Sequence, residues 1–258
     1  MSLSVLQHPF ALDSTKLSFA IVHMQYLILI VVLLTGIITS VWARKLTIPA
    51  AITGGVLGVI LYCGSGWTGI LLMAIFFILG TAATSWKRDK KQHLGIAEEN
   101  KGIRKTSQVI ANGGVAALVS LLACLYPQES SLFTLMVAAC FSSAAADTLS
   151  SELGSVYGRR FYNILSFKKD KRGLDGVISL EGIAFGLAGS CIIAVIYSIG
   201  FGWNIHFLWI VIAGTIGNLT DSLLGASLER RGVLQNDAVN FLNTLAAAFT
   251  SYVLFHYL

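Results

Sequence analysis

The chain has 258 residues, 55% of them hydrophobic and only 12% charged, about half the charged share of an ordinary soluble domain. Its mean hydropathy is +0.74, yet its formal net charge is +5. This balance excludes a soluble enzyme, a disordered tail and a small disulfide scaffold, and it leaves an integral membrane protein.

A helical span takes about 20 residues, so this length holds about eight spans with short loops and no large extramembrane domain. Residues 1–18 read as a short N-terminal extramembrane segment, and 19–258 as a single polytopic membrane domain. The first apolar run ends in Trp42-Ala43-Arg44-Lys45 without a small-residue cleavage site, so it reads as a span and not a signal peptide. Apolar runs predict all-α spans at 19–42, 48–62, 67–85, 109–126, 131–150, 179–199, 206–228 and 238–258. The second is short and follows Pro49, and its path is open between tilted, broken and re-entrant.

The cations set orientation. Arg44 and Lys45 follow span one; Lys87, Arg88, Lys90, Lys91, Lys101, Arg104 and Lys105 follow span three. Arg159, Arg160, Lys168, Lys169, Lys171 and Arg172 follow span five, and Arg230 and Arg231 follow span seven. Eight spans put 17 of the 18 Lys and Arg on one side, with Lys16 alone opposite. The positive-inside rule makes the basic loops cytoplasmic and places both termini outside. Two cytoplasmic connections are long, about 23 and 28 residues, whereas the outer loops at 63–66 and 127–130 are tiny. Chemistry is therefore expected at the cytoplasmic face. Cys63, Cys124, Cys140 and Cys191 lie in or at the ends of apolar runs without C-x-x-C spacing and read as small hydrophobes.

Thirteen acids are few enough to be informative. Asp147 ends span five, Asp221 lies inside span seven, and Glu152 and Glu181 sit near cytoplasmic span ends. A carboxylate at membrane depth is costly and marks function by default. The two aspartates share similar words, Asp147-Thr148-Leu149 and Asp221-Ser222-Leu223, which suggests a weak internal repeat. Helical spacing gives each a stripe: Asp147, Ser151, Gly154 and Gly158, then Gly214, Asn218, Asp221 and Gly225. Asn236, Asn240 and Asn243 share a face of span eight, with Asp237 beside them. For any one Ser, Asn or Gly the alternative is a packing seam. The loops mix Lys and Arg with Gly, Asn and Ser, as a phosphate site requires, although topology and lipid headgroups also account for such cations. No P-loop or dinucleotide fingerprint is present, and the basic residues are too hemmed in by spans for nucleic acid. Acids on helix ends facing basic loops suit Mg²⁺ bridging phosphate oxygens.

These motifs resemble one integral membrane family. The matching words are Asn100-Lys101-Gly102-x-Arg104, Gln108-Val109-x-x-Asn112-Gly113-Gly114, Asp147-Thr148-x-x-Ser151-Glu152-x-Gly154, Asp175-Gly176-x-x-Ser179, Asp221-Ser222-Leu223-Leu224-Gly225-Ala226 and Asn236-Asp237-x-Val239-Asn240-Phe241. The family was long catalogued as a domain of unknown function and includes plant phytyl-phosphate kinase. The chain is more distantly similar to CTP-dependent dolichol kinases and CDP-diacylglycerol synthases, through Asp147-Thr148, Gly154-x-x-x-Gly158, Lys168 to Arg172 and Glu181-Gly182. It departs from them in carrying Ser179-Leu180 where Lys-Thr often precedes Glu-Gly.

The resemblance implies phosphoryl transfer from CTP or another NTP to an isoprenyl monophosphate of the phytyl or geranylgeranyl type. On that reading Asp147, Asp221 and Glu152 are catalytic and hold Mg²⁺, with Asp237 as a helper. Lys101, Arg104, Lys171 and Arg172 hold phosphates, and Asn112, Asn236 and Asn240 orient phosphate, ribose or metal-bound water. Asn100, Gln108, Asp175 and Ser179 complete the phosphate and nucleotide set. Expected partners are the nucleotide, the isoprenyl monophosphate, membrane lipids and, as an option, a second copy in a homo-oligomer. The expected location is a bacterial plasma membrane. The rivals are a CTP-dependent lipid-phosphate cytidylyltransferase, a transporter with acids near the midplane, and a lipid-binding scaffold.

Overall fold

The computed structural model describes residues 14–96 and 102–258. Its main elements are α1 (Ser14–Trp42), α2 (Ile48–Ser85), a short α3 (Arg88–His93), α4 (Thr106–Leu125), α5 (Ser130–Tyr157), two-residue strands β1 (Tyr162–Asn163) and β2 (Val177–Ile178), α6 (Leu180–Phe201), α7 (His206–Leu224) and α8 (Asn236–Tyr257). A π-helical turn, Gly225–Glu229, extends α7. Among the described residues, seven helices are long and apolar enough to cross a membrane.

One of the seven makes two passages. α2 has 38 residues but is not straight: Gly66 has φ 58° and ψ −149°, a backbone that glycine adopts without a Cβ penalty. The chain folds back there. A Cβ on Gly58 would lie 3.2 Å from the Met73 side chain, and Lys45, just before α2, donates to Ser85 Oγ at its end (2.8 Å). The second and third expected spans are thus residues 48–65 and 67–85 of one helical hairpin, and eight apolar passages remain. Thr47 starts the hairpin by accepting from the Ala50 N–H, and Pro49 stands in the first turn, where its missing N–H is harmless.

α5 is the central helix and packs against α2, α4, α6, α7 and α8. Its contact faces are small and polar. Gly214 of α7 sits against Ser142, and Gly217 against Ser143. Ser142 Oγ donates to the Ile210 carbonyl (3.1 Å), and Ser143 Oγ to Asn243 Oδ1 (3.1 Å). Such close approach replaces the hydrophobic drive that lipid cannot supply. α1 is the opposite case, with most of its large apolar side chains exposed.

α5 also runs further than its apolar run suggests. The helix continues to Tyr157, so Asp147 lies inside it and not at its end. The last turns stay helical though polar because one face borders a cavity and is not lipid-exposed. All four basic connections converge on this end of the bundle. Trp86 Nε1 donates to the Tyr157 hydroxyl (2.9 Å), Lys90 to the Val156 carbonyl (3.1 Å), and Arg230 pairs with Asp170 (2.8 Å).

Candidate functional site

A polar cavity of about 300 Å³ opens at the basic end, between α4, α5, α7, α8 and the connection from α5 to α6. α5 contributes Asp147, Thr148, Ser151 and Glu152, and α7 contributes Asn218, Asp221 and Ser222. Glu229 comes from the π-helical turn, Asn236 and Asn240 from α8, Gln108 and Asn112 from α4, and Arg104 from just before α4. The two similar words seen in the sequence meet here, through Asp147 with Thr148 and Asp221 with Ser222.

Asp147 and Asp221 both line the cavity and interact electrostatically with each other. Asn243 Nδ2 donates to Asp221 Oδ2 (2.8 Å), and Ser143 holds Asn243 from behind. Among the described residues neither aspartate is ion-paired to Lys or Arg. Two adjacent, half-buried carboxylates favour a proton or a cation between them, and hard oxygen donors on helix faces suit a divalent ion.

Glu152 stands apart from this pair. Its Oε2 is ion-paired with Lys91 of α3, which is almost fully buried. Its Oε1 is buried with no hydrogen-bond partner among the described residues. No three His, Cys, Asp or Glu side chains converge as a ligand set among the described residues. Glu152 thus lines the same cavity as the aspartates but is held toward α3 by Lys91.

The other expected residues divide. Arg104, Gln108, Asn112, Asp175, Ser179, Asn236 and Asn240 line the cavity. Two of them also have local structural tasks: Gln108 Oε1 accepts the Lys105 N–H (2.9 Å), and Ser179 Oγ caps α6 by accepting the Gly182 N–H (3.0 Å). Lys171, Arg172 and Asp237 do not line it. Arg172 donates to the Gly158 carbonyl (3.1 Å) and lies over the Phe161 ring, so it pins the connection instead of facing the cavity. Asn100 and Lys101 lie outside the described residues.

The connection forms a cover. β1 pairs antiparallel with β2, with Tyr162 opposite Ile178. Gly176 has φ +67° and abuts Ala226, an approach that any Cβ would block. Arg230 anchors the cover through Asp170, whose carboxyl the hydrogen bond holds below its ordinary range. Sequence reasoning missed Glu229 and Lys91. Glu229 follows Asp221 by two helical turns, a spacing that could have revealed it. Five carboxylates and one guanidinium line the cavity among the described residues.

Fold and site define a polytopic integral membrane protein with an acid-lined chamber at its basic end. The family described as "Integral membrane protein DUF92" matches residues 30–248, and the chain belongs to that family. Protein VTE6, chloroplastic, of Arabidopsis thaliana is 37% identical over 194 residues, 72% of this chain. The match spans only 58% of the plant protein's own length. An uncharacterized membrane protein of Synechocystis is 33% identical over 75% of this chain and 76% of its own length. Another from Methanocaldococcus jannaschii is 29% identical over 83% and 87%. No solved structure matches.

Proposed function

We propose that the protein is a membrane kinase that moves a phosphoryl group from CTP, or another NTP, to an isoprenyl monophosphate of the phytyl or geranylgeranyl type. The chamber faces the cytoplasm of a bacterial plasma membrane. The observation that carries this reading is the Asp147–Asp221 pair, half-buried in the wall of an oxygen-rich chamber at the end of a lipid-embedded bundle. Family membership and the motif resemblance to phytyl-phosphate kinase supply the substrate class.

Mg²⁺, when bound by Asp147 and Asp221, would neutralise charge on the phosphates and hold them in line. Asn243 orients Asp221, and Asn236, Asn240 and Asn112 offer neutral amides to phosphate or ribose oxygens. Arg104 supplies fixed positive charge at the chamber wall. A monophosphate acceptor is already ionised at neutral pH, so the chamber's task is alignment and screening more than proton removal. The acceptor oxygen forms its bond to the γ-phosphorus as the bridging oxygen departs with the nucleoside diphosphate. The cover from Gly158 to Ser179 excludes water from that transfer.

Purified protein in detergent, supplied with Mg²⁺, each NTP and a panel of prenyl monophosphates, tests the reading by identifying both products. Prenyl diphosphate with nucleoside diphosphate is the expected outcome. Pyrophosphate with a CMP-lipid would assign a cytidylyltransferase, and no turnover with any pair would return the weight to transport.

A further inference from the structure

One apolar cavity adjoins the chamber, and a second, larger one adjoins the first. The smaller, about 80 Å³, shares Arg104, Gln108 and Asn112 with it. The larger, about 320 Å³, is a groove between α1 and the α2 hairpin with an almost wholly apolar wall. The smaller cavity and the groove in turn share Leu46, Gly54, Met73 and Phe77. Chamber, cavity and groove thus stand in series, polar at one end and apolar at the other.

We infer that this series is the binding path of the lipid substrate, with its phosphate at the Arg104 wall and its prenyl chain running through the small cavity into the α1–α2 groove. The identity of the headgroup rests on the proposed kinase reading; the path rests on four observations. First, Arg104 is the one cationic side chain lining the chamber among the described residues, and it stands in the wall shared with the apolar cavity. A phosphate held there directs its chain away from the acids.

Second, the direction suits a lipid. Leu46 is bridged to Arg104 at the basic end, and the groove runs from there along α1 from Ser40 to Val32, about 12 Å at 1.5 Å per residue. A chain laid in it runs into the membrane-spanning part of the bundle. Third, the emptiness is specific. Cβ atoms on Gly55 and Gly58 would strike Ile37 and Leu33 of α1, so those glycines serve helix approach. Cβ atoms on Gly54 and Gly36 would meet nothing within 4 Å, and both line the groove. Fourth, α1 leaves its outer face exposed along this length, so the groove borders lipid and a chain can enter sideways.

Gly54→Leu at the junction and Gly36→Leu farther along test the path. Gly54→Leu should lower turnover of phytyl monophosphate relative to dimethylallyl monophosphate. The expected drop is about tenfold for every two methylenes excluded from apolar contact. Gly36→Leu should lower phytyl turnover and spare geranyl monophosphate, whose chain ends sooner. Leu118→Ala, on the lipid-exposed face of α4, should leave both ratios unchanged. A folded Gly54→Leu protein with the wild-type ratio overturns the path.

Photolabelling separates this inference from the kinase reading. Phytyl monophosphate carrying a diazirine at the chain terminus should label peptides within 32–40 and 70–78. Label confined to α6, α7 or α8 overturns the path. Label in the groove without turnover of any prenyl monophosphate overturns the kinase reading and keeps the groove as a lipid-phosphate site.

Discussion

Lys91 belongs to a six-residue helix in a basic loop, yet only 1% of it is exposed. Its ammonium donates to the Ala83 carbonyl (2.7 Å), the Thr84 carbonyl (3.3 Å) and Glu152 Oε2, so its three protons meet three acceptors. Two of these acceptors are in the last turn of α2, where carbonyls lack helical partners and the helix end is negative. Lys91→Met keeps the apolar stem and deletes the charge. Glu152, 8% exposed, is then a buried carboxylate without its cation. Breaking a buried pair from one side costs about 3–5 kcal/mol, and in a chain of this size each kcal/mol lowers Tm by about 2–4 °C. The single variant should therefore unfold about 6–20 °C earlier in detergent. Lys91→Met with Glu152→Leu removes both charges and should regain most of that loss, because apolar replacement of a whole buried pair is near neutral. Thermal unfolding of wild type, both singles and the double closes the cycle. A Lys91→Met shift below about 2 °C, or a double no more stable than the single, would refute the pair as the tie between α2, α3 and α5.

Asp147→Asn and Asp221→Asn should each fold and lose at least about 10²-fold in turnover, the scale of losing one preorganised electrostatic group; full activity in either sinks the metal assignment. Gly217→Ala would place a Cβ 2.1 Å from Ser143 Oγ and 2.8 Å from the Asn243 carbonyl. It should cost about 1–3 kcal/mol by overpacking, read as an earlier thermal transition, and should disturb the Ser143–Asn243–Asp221 chain enough to lower turnover as well. The cover is acid-sensitive through Asp170. Its carboxyl is held below the ordinary 3.8 chiefly by the Arg230 hydrogen bond, so the anchor is present above that value and is lost as pH falls through the depressed one. Proteolysis within 158–179 should thus rise below pH 3.8 in the wild type. Asp170→Asn should be cut readily at neutral pH, and equal protection of both proteins at neutral pH would show that the pair does not hold the cover.

The helices were legible because lipid imposes a one-dimensional rule: long apolar runs, cations collected on one side. That rule even predicts the eight passages that α2 disguises by staying helical up to Gly66. Asp147 and Asp221 were legible for the same reason, since a carboxylate in an apolar run has to have a use. The rule reports cost, however, and not direction. Arg88-Asp89-Lys90-Lys91 reads as a solvated patch, and nothing within one helical turn announces that Lys91 turns inward to a partner 61 residues away. Lys171 and Arg172 do not line the cavity, and Arg172 is taken up by Gly158 and Phe161. Loop cations carry no periodicity from which a facing side can be read.

Charge is layered at this end of the molecule. The basic loops form the outer rim, while the chamber behind them presents Asp147, Glu152, Asp175, Asp221 and Glu229 against Arg104. A nucleoside triphosphate that the rim attracts is repelled by the chamber unless divalent cations enter with it. On the proposed reading the two layers separate experimentally. Rim attraction acts through water and is screened over about 8–10 Å at 0.1–0.15 M salt, so added monovalent salt should raise the KM for nucleotide and leave kcat nearly constant. The chamber's requirement is local, so lowering free Mg²⁺ should remove turnover at any nucleotide concentration, and no excess of nucleotide should restore it. Full turnover in chelator would mean that Asp147 and Asp221 share a proton and not a metal ion. The chamber would then have to bind phosphate by Arg104 and its amides alone, against five carboxylates.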